Sequence, residues 1–322
     1  MQLRDFSTQT QGQTTLICAP YALHRATVAD FAPGHSVVEA LRLGGLSRVF
    51  VTDWRSATPE MRYFSIDSYL ADLNVAVDGL GPPVDLVGLC QGGWLALVYA
   101  ARFPQKVRRL VLVGAPVDVR AGESQLSRLA ASAPLDAFEE LVRFGEGLVL
   151  GQSMLPLLGP ALDANDANGV LQIISAVDPT RLRELHDRFH QWNVGTVNLP
   201  GTFYLQVSRW LFKENQIAKG RFVALGRLIN LAEVHTPMFL LAADNDELVS
   251  ADQLFGTARL VGTPKAFIEI ATEPCRHLSL FLGAGVLGGT WRRIAYWLCQ
   301  DPATATPHMS ESGTHKVRNI DV

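Results

Sequence analysis

The tightest constraint on this chain is one turn. The run Val84–Leu89 (VDLVGL) reads as a buried strand. It ends in Gly88-Leu89-Cys90-Gln91-Gly92-Gly93, and a helical pattern over Gly93–Arg102 begins at once. A strand that turns this sharply into a helix forces the apex residue into a strained, positive-φ conformation. Side chains two positions to either side would collide with the turn, so Gly88 and Gly92 stand where glycine belongs, and Gly93 completes the elbow glycines. With 27 Gly and 4 Cys in the chain, chance supplies roughly 0.03 such pentapeptides. The geometry presents Cys90 as a nucleophile. The following helix aims its N-terminal amides and positive dipole end at the sulfur and at any oxyanion formed beside it. The competing reading is a buried structural thiol, a common fate of free cysteine; the glycines and the strand–helix context favour the nucleophile.

Other apolar runs place this turn in a sheet. Thr14–Ala19, Arg48–Asp53, Val107–Val113, Met238–Ala243 and Ala266–Ala271 read as strands. Runs this apolar suit parallel strands covered on both faces. Helical patterns lie between them at Ser36–Leu43, Ile66–Leu80, Ser250–Leu260 and Thr290–Leu298. The alternation argues for an α/β architecture with a doubly wound, mostly parallel sheet. Residues 117–219 break the rhythm: no convincing strand occurs, helical stretches such as Pro134–Gly147 and Pro179–Trp192 dominate, and aromatics (Phe189, Trp192, Phe203, Tyr204, Trp210, Phe212) are frequent. A helical insertion here is expected to form a cap over Cys90, the bland alternative being a peripheral subdomain with only a packing role. The organisation expected is a discontinuous core of residues 1–116 and 220–300, a cap of 117–219, and a disordered polar tail of 301–322. No internal repeat is visible.

A nucleophilic cysteine needs a base, and the base needs an acceptor that fixes its tautomer. When the nucleophile sits on such an elbow, the chain order is nucleophile, acid, histidine. His277 alone follows a late strand at the correct place. His308 and His315 lie in the tail, and His24, His35, His186, His190 and His235 precede the acid or fall in other elements. For the acid, Met238–Ala243 runs into Asp244-Asn245-Asp246-Glu247-Leu248-Val249. Asp246 is favoured and Asp244 is the alternative; a turn or capping role is the bland reading of either. The oxyanion hole should use the backbone N–H of Gln91, with a second donor from the loop after the first strand, near Tyr21 or Ala22.

Composition removes other classes. The 322 residues are 48% hydrophobic with a net charge of −3, and no basic stripe marks a nucleic-acid partner. The four cysteines, Cys18, Cys90, Cys275 and Cys299, match neither a disulfide framework nor a zinc site. Reduced thiols point to a cytoplasmic protein, with Cys18 and Cys299 read as core thiols. Met1–Gln13 has no apolar segment of a signal peptide, and no apolar run reaches the roughly 18 residues of a membrane span. No P-loop or dinucleotide glycine pattern occurs, so neither a cofactor nor a metal is expected.

The residues resemble a known group. Val87-Gly88-Leu89-Cys90-Gln91-Gly92-Gly93 is similar to the lipase-like box of polyhydroxyalkanoate synthases. Its continuation, Phe103–Val107 through Gly114–Asp118, is most similar to the two-subunit class III enzymes. So are Thr52–Arg55, Ile66–Leu70, Phe203–Gln206, Leu228–Leu231 and Asp246–Val249. The likeness runs from about Thr14 to Leu298. Intracellular polyhydroxyalkanoate depolymerases are relatives, which Ala115–Arg120 and Phe203–Gln206 also resemble. The resemblance implies the α/β-hydrolase fold, Cys90 as nucleophile, Asp246 as acid and His277 as base. It further implies a hydroxyacyl-coenzyme A or polyester substrate, and a homodimer or accessory subunit at a granule surface. At two positions the chain departs from those synthases: Arg276 stands where they usually carry Gly, and Glu247 where they often carry His.

Three functions follow. The first is transfer of a 3-hydroxyacyl group from coenzyme A to a polyester hydroxyl through a Cys90 thioester, an exchange that keeps the acyl group activated. The second is hydrolysis by the same residues, as a depolymerase or thioesterase. The third is a non-catalytic binding protein on this fold. Transfer and hydrolysis differ in whether water is kept from the acyl-enzyme.

Overall fold

The computed structural model describes residues 1–158, 166–173 and 178–300. The expected tail 301–322 lies outside the described residues, as do short parts of the expected cap. Among the described residues the main sheet has seven strands, β1 (Gln2–Asp5), β2 (Thr14–Cys18), β3 (Arg48–Asp53), β4 (Val84–Leu89), β5 (Val107–Val113), β6 (Met238–Ala243) and β7 (Ile268–Glu273), beside three short two-stranded pairs. Their order across the sheet is β1-β3-β2-β4-β5-β6-β7. Every pairing is parallel except β1 with β3, where Gln2 opposes Asp53 and Asp5 opposes Phe50.

Strict alternation along the strands creates two apolar layers. Leu16, Leu86, Leu110, Leu112 and Leu240 pack on one face with α2 (Ile66–Leu80) and α3 (Gln91–Arg102). Ile17, Val87, Val111, Val113 and Leu241 pack on the other with α1 (Val37–Leu43) and the helix Thr290–Cys299. Each fully buried Leu or Val stabilises the fold by about 1.5–3 kcal/mol. The helices begin where local chemistry dictates. Ser36 Oγ accepts the Glu39 N–H ahead of α1, and Ser65 and Ser68 form a reciprocal capping box ahead of α2.

β2 has β3 on one side and β4 on the other. The chain therefore winds outward in both directions from this point, and the crevice at the carboxyl ends of β2 and β4 is where such sheets bind ligands. Cys18 pairs with Gly88 at that edge, two residues before Cys90.

Several elements differ from expectation. β7 lies two residues beyond Ala266–Ala271, because Lys265–Phe267 closes into a 3-10 turn after Pro264. It is an edge strand with one covered face, not a strand buried on both. Ser250–Leu260 divides at Gly256 into Ala251–Phe255 and Thr257–Leu260. β1 is an addition: all four residues are exposed, so hydropathy carries no trace of it. Between β5 and β6, α4 (Gln125–Ser132) and α5 (Leu135–Phe144) are followed by helices at Gly151–Leu158, Ala167–Leu171, Pro179–Val194 and Gly201–Gln206. The last continues into a π-helical stretch, Val207–Lys213. Two-residue strands Leu148–Val149 and Leu199–Pro200 pair within this region, too short to show a period of two. Among the described residues no helix is long and apolar enough to cross a membrane.

Candidate active site

Cys90 stands at the end of β4 with φ 48° and ψ −117°, the strained apex that the glycines anticipate. Its N–H donates to Val113 O at 2.8 Å, and its carbonyl accepts the Gly93 N–H at 2.8 Å. A Cβ on Gly88 would strike the Gly93 backbone, one on Gly92 would strike the Cys18 carbonyl, and one on Gly93 would strike Ala115. The first two obstacles are backbone, which cannot swing aside. These glycines thus weld the elbow to the end of β2.

The loop after β2 is fixed beside the elbow. Ala19 N–H donates to Thr52 Oγ1 at 3.0 Å, and Trp54 Nε1–H donates to Ala19 O at 2.8 Å. Tyr21 sends its hydroxyl to Arg55 O at 3.0 Å and accepts from Tyr69 at 3.2 Å. Tyr21, Ala22, Cys90 and Gln91 line one cavity, so the expected oxyanion donors and the sulfur share the same space. Gln91 opens α3, where a helix has N–H groups without intrahelical partners.

His277 and Asp246 meet at this edge. His277 Nδ1–H donates to Asp246 Oδ2 at 2.7 Å, and both side chains are almost fully buried. The other carboxylate oxygen, Oδ1, accepts the N–H groups of Leu248 at 2.9 Å and Val249 at 2.8 Å. The carboxylate is held from both sides. Asp244, the alternative acid, is exposed and its N–H pairs with Glu273 O at 2.9 Å. Cys90 reaches the His277 ring as a further partner. Burial alone would push the imidazolium pKa down, but the Asp246 and Cys90 charges and hydrogen bonds outweigh it, and the value stands well above the ordinary 6.5.

One residue that sequence reasoning did not single out makes room for this ring. Gly114 follows β5 with φ 53°, and a Cβ there would lie 3.1 Å from His277 Cε1. A glycine directly after the strand beside the elbow strand is the signal that could have found it. The two departures of the sequence also meet. Arg276 Nη2 pairs with Glu247 Oε1 at 3.1 Å, while Nη1 pairs with Asp166 of the inserted region. The cation beside the base is thereby compensated.

The remaining cysteines are separate from the site chemistry. Cys18 is buried and its thiol is pushed up to about 12 by desolvation; Cys275 is buried and raised to about 12 by desolvation and nearby carboxylates. Cys299 is exposed, not in the core as expected, because it ends the last helix at its rim. His24 stacks on Trp192 at 4.2 Å and donates its Nε2–H to Asn193 O at 2.8 Å, with burial lowering its pKa to about 4.

Above Cys90 lies a cavity of about 270 Å³ with an almost wholly apolar lining. Leu126 and Leu129 of α4, Phe138 and Leu141 of α5, and Phe203 and Phe212 supply most of its wall. Tyr204 and Ser208 are polar exceptions. Burial pushes the Tyr204 phenol up to about 12, opposed by a hydrogen bond with Ser208. Among the described residues no group of three or more His, Cys, Asp or Glu side chains is arranged to hold a metal ion.

Comparisons with known proteins agree with this geometry. A family model described as alpha/beta hydrolase fold matches residues 47–284. The chain is 24% identical to the poly(3-hydroxyalkanoate) polymerase subunit PhaC of Haloferax mediterranei over 97% of its own length and 64% of that protein's. It is 26% identical to the subunit of the same name from Synechocystis sp., over 87% of this chain and 76% of that one. The corresponding figures for Allochromatium vinosum are 24%, 89% and 81%. Among solved structures, the monoacylglycerol lipase of Paleococcus ferrophilus superposes with a TM-score of 0.59 at 15% identity, covering 92% of this chain and 97% of that one. An epoxide hydrolase from Bacillus megaterium gives 0.53 at 14%, covering 87% and 91%. A parallel sheet wound both ways from β2, a strained elbow at the end of β4 and a model match over most of the chain lead to one assignment: the chain belongs to the α/β-hydrolase fold family.

Proposed function

We propose that this protein is a cysteine-dependent acyltransferase that moves a 3-hydroxyacyl group from coenzyme A to the hydroxyl end of a polyester. The observation that carries the reading is the meeting of Cys90 with the His277–Asp246 pair where Cys90 lines an apolar cavity, in a chain similar to polymerase subunits over most of its length. In the first half-reaction His277 takes the Cys90 thiol proton on the ring nitrogen that Asp246 does not hold. The sulfur attacks the thioester carbonyl. The N–H of Gln91 and a donor from the Tyr21–Ala22 loop stabilise the oxyanion. The carbon–sulfur bond to coenzyme A breaks, and the leaving thiol recovers the proton from His277. In the second half-reaction His277 deprotonates the incoming hydroxyl, whose oxygen attacks the acyl-Cys90 thioester. An ester forms and Cys90 is released.

On this reading residues 117–219 act as a cap whose apolar wall keeps water from the acyl-enzyme. Hydrolysis uses the same three residues with water as the acceptor. The deciding experiment incubates the purified protein with 3-hydroxybutyryl-coenzyme A and follows free thiol and polymer together. Thiol release with polymer is the expected result. Thiol release without polymer assigns hydrolysis instead, and release of neither contradicts acyl transfer.

A further inference from the structure

The structure holds a charged cluster next to the base that the mechanism above does not use. Its centre is Arg276, a side chain about one-third exposed. One guanidinium nitrogen meets Glu247 Oε1 at 3.1 Å and another meets Asp166. Glu247 is itself a junction. Its second carboxylate oxygen accepts the His277 backbone N–H at 3.4 Å, and its own carbonyl accepts the Gln125 N–H at 3.0 Å. Gln125 opens α4, whose Leu126 and Leu129 wall the cavity. Asp166 precedes the helix Ala167–Leu171, where Gly169 O accepts from Ser279 Oγ at 3.5 Å. The acid turn, the base loop and two separate stretches of the inserted region therefore converge on one guanidinium and one carboxylate.

From this we infer that Arg276 is a positioning residue: by bridging Glu247 and Asp166 it holds the His277 loop in register with the Asp246 turn and with the wall of the cavity. The inference deepens the proposed function, because a positioned His277 matters only if Cys90 depends on it. The cluster stays partly open to solvent, so its share of global stability is small. Its geometry suits arginine, whose planar fork spans two carboxylates at once, and lysine is a poor replacement.

The test is the rate of Cys90 alkylation by iodoacetamide at pH 7, resolved from the exposed Cys299 by peptide mass. No substrate is needed, so the readout is independent of which acyl group the protein uses. Positioning and simple electrostatics predict opposite patterns. If the charges act only through space, Arg276→Gln slows alkylation while Glu247→Ala and Asp166→Asn leave it unchanged or faster. If Arg276 positions the base, all three slow it: Arg276→Gln and Glu247→Ala by roughly tenfold and Asp166→Asn by roughly threefold, with melting temperatures within about 3 °C of the parent. Arg276→Lys recovers part of the rate, and Asp166→Asn adds little to Arg276→Gln when the two are combined. Faster alkylation in Glu247→Ala, or parent rates in all variants, overturns the inference. Asp166→Asn alters a partly exposed pair, and keeps the test decisive if Glu247→Ala fails to fold. Failure of acyl transfer with these alkylation patterns intact would sink the proposed reaction and leave the positioning role standing.

Discussion

The floor and the wall of the cavity are built on opposite terms. α3 buries ten of its twelve residues, Gly92 through Ala101, and its first turn is welded to β2 through Gly92. α5 buries none of its ten, although Phe138 and Leu141 face the cavity and Phe144 stands 75% exposed. The floor must hold Cys90 at a strained φ against its own preference, which costs on the order of 1–3 kcal/mol and requires close packing around it. On the proposed function the wall has only to present apolar surface to an acyl chain, which helices with little burial of their own can do. Cys90 belongs to the first region, and the second supplies most of the apolar lining.

Substitutions can separate the two. Cys90→Ala should lower acyl transfer by roughly 10⁴-fold or more with an unchanged melting temperature, since the covalent step is lost and no packing is. Measurable transfer at the parent rate would move the nucleophile elsewhere. Gly92→Ala puts a methyl into the Cys18 carbonyl, and its expected destabilisation exceeds about 3 kcal/mol in denaturant melts. A well-folded, active Gly92→Ala protein would show that the elbow is not welded as described. Gly114→Ala crowds the His277 ring, so kcat should fall roughly 10- to 100-fold with the fold retained; circular dichroism and kinetics read the two separately.

The pH dependence of stability tests the electrostatics of the floor. His277 has a folded pKa above its ordinary 6.5, so its proton stabilises the folded state fully below about pH 6.5, and this contribution is lost as the pH rises through the raised value. The gap in stability between the parent and His277→Gln should therefore narrow from pH 6.5 upward. A gap that widens would mean that the ring is held neutral. In the wall, Phe138→Ala should cost under about 1.5 kcal/mol, against about 3–5 kcal/mol for Trp94→Ala in the floor. Its effect should appear instead in KM for longer acyl chains. Equal destabilisation at both sites would erase the contrast.

How much of this was legible follows the same division. Arg48–Asp53, Val84–Leu89, Val107–Val113 and Met238–Ala243 are strands at the ends read from their apolar runs, because both faces of each are covered and hydropathy changes sharply at the edges. β1 was not legible, since four exposed residues bound only by an antiparallel edge leave no pattern. The spacing around Cys90 announces its turn, and the structure brings His277 and Asp246 together as the chain order anticipates. The pairing of Arg276 with Asp166 spans 110 positions, and no local pattern encodes it. Gly114 was hidden for a related reason: a single glycine after a strand reads as a turn until the ring it accommodates is seen.

The central claim is that Cys90 carries the acyl group, and the most direct measurement is the intact mass of the protein mixed with 3-hydroxybutyryl-coenzyme A and quenched in acid. The account predicts a rise equal to one or more hydroxybutyryl units, mapped to the peptide bearing Cys90, matched by released coenzyme A and absent from Cys90→Ala. Coenzyme A released with no adduct at Cys90 in any quench time, or an adduct on another residue that persists in Cys90→Ala, would contradict it.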